Sequence, residues 1–164
     1  MKTLWRPNES RWHKKDAWKT SAYAFVPHRT FFGELCGFAD DIVNPGQGFG
    51  MHPHEDMEIS TIVLSGAQVH RDSTGSERVI GSNGVPTMSA GTGILHSEYN
   101  ASNAEPFHSF QIWFHPKERR AAPRHEHFGH RPENKLNTIL LALTDRASFS
   151  PWSGRRPPCA RWLT

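Results

Sequence analysis

This sequence predicts an all-β barrel, on three observations. Short strand-like runs recur at turn-punctuated intervals, and no stretch carries the long capped period of an amphipathic helix. Two histidine-bearing steps, His52-Pro53-His54 and His96-Ser97-Glu98, repeat the two-residue period of a strand. At 164 residues the chain is long enough for one domain with a real core and short for two.

In chain order, Ser21 to Val26 reads as a first strand, with Trp12 and Trp18 expected to cover the core. Residues 31–38 form a second apolar piece, and Asp40-Asp41 followed by Asn44-Pro45-Gly46 reads as a turn. Gly46, Gly48 and Gly50 then open into His52, where glycine permits a close backbone approach. Met57 to Leu64 is the clearest strand, though its imperfect alternation allows for a bulge beyond His54. Val69 to Asp72 and Glu77 to Ile80 form a hairpin around Ser73 to Ser76, and Gly81 to Gly84 turns into Val85 to Met88. Gly91-Thr92-Gly93 precedes the second histidine step as the first glycine cluster precedes the first. Phe107 to Phe114 is an aromatic strand that closes the core, with Phe110, Trp113 and Phe114 read as core residues and His108 and Gln111 as packing residues. Lys117 to Pro132 reads as a charged, histidine-bearing linker or arm, and Asn137 to Thr144 as one further strand. The domain reading is therefore a barrel over 1–116, an arm with a strand over 117–144, and an irregular Arg/Pro-rich tail over 145–164.

The formal charge of +3 is local. Residues 145–164 hold four arginines against Asp145, so the remaining residues balance, and a broad basic face for a nucleic-acid partner is not expected. No apolar run approaches membrane-spanning length, and the N-terminus turns polar too early for a signal peptide. Two distant cysteines, Cys36 and Cys159, fit a reducing compartment, and the chain reads as cytoplasmic. Gly-x-Ser-x-Gly, phosphate-loop and dinucleotide signatures are all missing.

The two histidine steps carry the chemistry. Residues two apart on a strand project from one face, so each step aims two ligands at one point. If the two strands face each other, His52, His54, His96 and Glu98 converge on one cation, a donor set suited to a redox-capable divalent metal. Burying Glu98 without a cation would be costly. Asp56 and Glu58 read as residues that orient an imidazole. His125-x-His127 with His130 is a rival cluster, but its charged, proline-flanked context reads as solvated linker.

Gly46-x5-His52-x-His54-x3-Glu58 resembles the first cupin motif, and Gly93-x2-His96-x3-Asn100 resembles the end of the second. Within cupins the wording resembles the pirin family, including bacterial pirin-like quercetin 2,3-dioxygenases. It is carried by Asn44-Pro-Gly-Gln-Gly-Phe-Gly-Met-His-Pro-His-Glu-Asp-Met-Glu-Ile59, His70-Arg-Asp-Ser73, Met88-Ser-Ala-Gly-Thr-Gly-Ile-Leu-His-Ser-Glu98 and Gln111-Ile-Trp113, over roughly residues 20–144. The resemblance implies a cupin (double-stranded β-helix, jelly-roll) barrel, the N-terminal half of a bicupin. It implies iron(II) held by His52, His54, His96 and Glu98, with manganese, nickel, copper and zinc as other candidates and Glu58 not a ligand. It further implies a dioxygenase that opens a quercetin-type flavonol with O2, Glu98 serving as base. The alternatives are a metal-sensing interaction protein of the pirin type, with a protein partner, or a shortened inactive member. The tail reads as a cut-short second cupin, whose absence would leave a face free for self-association.

Overall fold

The computed structural model describes residues 4–26, 30 and 32–129. Asn137 to Thr144 and the tail over 145–164 lie outside the described residues. Eleven strands follow a short 3-10 turn at Asn8–Ser10: β1 Trp12–Lys15, β2 Lys19–Phe25, β3 Leu35–Val43, β4 Gly48–His54, β5 Glu58–Ser65, β6 Ala67–Asp72, β7 Glu77–Gly81, β8 Gly84–Ser89, β9 Ile94–Asn100, β10 Phe107–Phe114 and β11 Arg124–Gly129. They form two antiparallel sheets, ordered β1-β2-β3-β10-β5-β8-β11 and β4-β9-β6-β7. This is the expected jelly-roll barrel. Among the described residues no helix is long and apolar enough to cross a membrane.

Alternation along the strands decides what lies between the sheets. Val43, Val63 and Phe107 from the larger sheet meet Ile80 of the smaller one, with Trp18 and Phe49 packed against them. A second cluster joins Cys36, Met57, Ile59, Met88 and Ala90 to Ile94, with Trp113 alongside. Trp18 therefore covers the core as expected, edge-on to Phe49 at 4.8 Å. Trp12 does not: it is half exposed and rests on Tyr23.

Three further expectations are corrected. Asp40 and Asp41 lie inside β3 rather than in a turn. Strand parity puts Asp41 inward, where it accepts a hydrogen bond from Lys19 Nζ at 3.1 Å and another from Ser21 Oγ. Phe110 and Phe114 alternate with the inward Trp113, so they sit on the outer face; Phe110 packs there against Phe38 at 5.3 Å. Residues 124–129 are not solvated linker but a strand paired with β8, and His125 stands opposite the core residue Met88. The bulge allowed for beyond His54 falls at Leu64, where the register of β5 against β10 shifts, and a second one precedes the first histidine step, between Phe49 and His52, where β4 uses three residues against two of β9.

That bulge positions the site. Phe49 and His52 are an odd number apart, so an unbroken strand would put them on opposite faces. The extra residue restores parity, and Phe49, His52 and His54 all face inward. Gly48 lets β4 lie close to β9: a Cβ there would stand 2.5 Å from Tyr99 Cα and closer still to the Glu98 carbonyl oxygen. Gly48→Ala is therefore expected to cost about 1–3 kcal/mol by overpacking. Urea unfolding checks this, and unchanged stability would mean that the strands part without penalty.

Candidate metal centre

His52 and His96 are directly opposed across β4 and β9, and His54 follows two residues along β4. Their ring centroids are 4.3 Å apart for His52 and His96, 4.9 Å for His52 and His54, and 4.9 Å for His54 and His96. One ligand atom from each lies within 4.8 Å of those of the other two. The spacing of the two histidine steps thus brings three of the four expected residues together.

Hydrogen bonds prepare these rings for a cation. His52 Nδ1 donates to the Gly50 carbonyl at 2.8 Å, which leaves Nε2 as the bare acceptor. His96 Nδ1 is bonded to His70 Nε2 at 3.2 Å, while His96 Nε2 is buried and has no hydrogen-bond partner. Burial, followed by the neighbouring imidazole charge, holds His54 down to about 4; burial with the charges of His52 and His54 holds His96 down to about 2. His54 and His96 are consequently neutral near pH 7, the form a metal requires. An orphaned buried nitrogen and three convergent imidazoles fit a divalent cation.

Glu98, two residues past His96 on β9, is also buried, but it lies outside the trio of mutually close ligand atoms. Its Oε2 accepts from Gln111 Nε2 at 2.8 Å, and Gln111 Oε1 in turn accepts from Trp113 Nε1 at 3.0 Å. Burial pushes the Glu98 carboxyl up to about 7 against the Gln111 hydrogen bond, with the Asp41 charge adding to the rise. Gln111 is thus more than packing. Glu58 and Asp56 do not orient an imidazole: Glu58 accepts from Ser89 Oγ, and Asp56 accepts from Arg119 and the Arg120 backbone. His108 bonds Asp40 on the outer face.

The sequence reading missed a second group, His70, Asp72 and His125, whose ligand atoms also lie within 4.8 Å of one another. A signal was present, since His70-x-Asp72 repeats the i, i+2 step of the two histidine motifs. Asp72 stands opposite His96, and His70 opposite Glu98, on the inner face of the smaller sheet.

A concavity of about 470 Å³ is lined by Pro53, His54, Glu55, Ser73, Gly93, Ile94 and Leu95.

Comparison with known proteins agrees with this geometry. Residues 6–114 match the family described as pirin. Over 113 residues the chain is 46% identical to a quercetin 2,3-dioxygenase of Escherichia coli (strain K12), covering 68% of this chain and 49% of that protein. The chain spans about half the length of the curated relatives it matches. Among solved structures, YhhW from Escherichia coli superposes with a TM-score of 0.73 at 35% identity, covering 84% of this chain and 65% of the other. The bacterial pirin YhhW in complex with nickel(II) superposes at 0.72 and 35% identity, over 84% and 66% of the two chains. With the motifs, the barrel and the three-imidazole cluster all in place, the chain belongs to the pirin family, whose members bind a divalent metal.

Proposed function

We propose that this chain carries the metal centre of a quercetin 2,3-dioxygenase-type oxidoreductase, with iron(II) held by His52, His54, His96 and Glu98 and working in the cytoplasm. The observation that carries the reading is the convergence of three imidazoles, one of them with a bare buried Nε2, and a buried carboxyl two residues further along the same strand. Bound there, the cation supplies Lewis acidity to a hydroxyl and carbonyl pair and one-electron chemistry toward O2.

The chain's own residues do the rest. Glu98 is the carboxyl assigned the proton of a flavonol hydroxyl, and its Oε1 is the oxygen that Gln111 leaves free for that exchange. Gln111 holds the other oxygen, so the carboxyl plane is fixed by a chain that ends at Trp113.

Purified, iron-loaded protein under oxygen is expected to bleach quercetin absorbance. No turnover above a His96→Ala control would remove the enzyme reading.

A metal-sensing interaction protein is the second reading, favoured by apolar side chains on the outer side of the ligand strands. Met51 and Leu95 are 58% and 46% exposed, and Leu95 stands opposite Pro53 between the histidines of β4. Such a patch would take a protein partner or a second copy of the chain. Pull-down and size exclusion with and without metal test it, and identical outcomes in both states count against it.

A further inference from the structure

Four buried nitrogen and oxygen atoms in one layer of the barrel have no hydrogen-bond partner: His96 Nε2, His70 Nδ1, Asp72 Oδ2 and His125 Nε2. The metal reading accounts for the first. The other three invite a second cation, but ring geometry opposes it. His70 and His125 are stacked with centroids 4.2 Å apart and planes inclined by only 4°. An imidazole lone pair lies in its ring plane, and two parallel planes set one above the other share no point for a common ion. Arg78, which lines the adjoining concavity with Ser76, His125 and His127, adds a repelling charge.

Proton accounting offers a simpler solution. A neutral imidazole that ligates through Nε2 carries its hydrogen on Nδ1, so His96 Nδ1 must donate. Its partner is His70 Nε2 at 3.2 Å, which must then accept. A neutral His70 that accepts at Nε2 carries its own hydrogen on Nδ1, and that nitrogen faces Asp72 Oδ2 at 3.8 Å with both side chains almost fully buried. Two of the three remaining orphan atoms thereby become a donor and an acceptor facing each other. Asp72 cannot easily turn away, because its Oδ1 accepts from the Thr74 backbone and hydroxyl and from the Ser76 backbone. The stacked His125 ring covers the far side of His70.

We propose that His70, held by Asp72 and roofed by His125, is a positioning residue: it accepts the hydrogen bond from His96 Nδ1 and so keeps the bare His96 Nε2 aimed at the cation. Imidazole ligands commonly take such a partner, usually a carboxylate or a carbonyl; here an imidazole with a carboxylate behind it takes that place. The inference rests on the proposed metal reading, and its tests separate the two.

The full chain labelled with 15N, kept metal-free, is expected to show His96 with its proton on Nδ1 in long-range proton–nitrogen spectra. In His70→Leu that preference is lost and nickel(II) affinity by titration falls about 10–100-fold. His70→Gln, which can place a carbonyl oxygen near the lost Nε2, keeps the Nδ1 tautomer and most of the affinity. An intact thermal transition in both variants excludes misfolding as the cause. The proposal is overturned if His96 in the metal-free wild type carries its proton on Nε2, or if His70→Leu binds nickel as tightly as wild type. A wild type that binds no nickel would sink the metal reading, and the tautomer would still decide the hydrogen bond.

Discussion

A His52→Ala/His54→Ala variant is expected to lose its metal while keeping its barrel. Both side chains come from one strand, and their removal leaves His96 as the sole imidazole of the trio. One imidazole does not hold a divalent ion at working concentrations, so elemental analysis should drop from one metal per chain to background. The loss should exceed the roughly 10–100-fold change expected where only an outer partner is touched. Both residues are only partly buried, so strand pairing through β4 should survive. A variant with undiminished metal content would place the ion elsewhere and remove the basis of the proposed chemistry.

Lys19→Ala is expected to be the most destabilising single change, by about 3–5 kcal/mol, because it strands the Asp41 carboxylate inside the barrel. The two side chains are 5% and 4% exposed, and the ammonium also sits over the Phe49 ring at 4.4 Å. Urea unfolding of the single variant, and of Lys19→Met with Asp41→Leu, separates the desolvation penalty from the worth of the pair. The double replacement should recover most of the loss, since an apolar pair of similar volume has no charge to strand. An unaffected single variant would show that water reaches Asp41. The pair also bears on chemistry: the Lys19 charge works to lower the Glu98 pKa and the Asp41 charge to raise it, so losing Lys19 should push Glu98 further up.

The barrel and the trio were legible because their signals are local. Period-two spacing, β-branched runs and glycine-bounded turns sit within a few residues of each other, and His52, His54 and His96 follow from them directly. What was not legible depends on partners distant in sequence. Asp40-Asp41 has turn composition, and Lys19 and Ser21, some twenty residues away, explain why Asp41 lies inside a strand. His125 sits in a stretch with linker composition; its role appears only when β8 pairs with it and His70 stacks beneath it. The outward turn of Phe110 is a matter of parity, which composition does not report. Gln111 reads as packing until Glu98 is found across the barrel.

The surplus residue between Phe49 and His52 has a consequence for which length changes the gene can tolerate. Deleting one codon there would swing the His52 and His54 rings together out to bulk water, discarding half of the expected ligand set without altering a single ligand. An indel in the tip at Ser73 to Ser76 should instead leave these two rings facing inward and disturb the donors that hold Asp72. Alignments that treat gaps at these two places alike would miss which descendants still hold an ion.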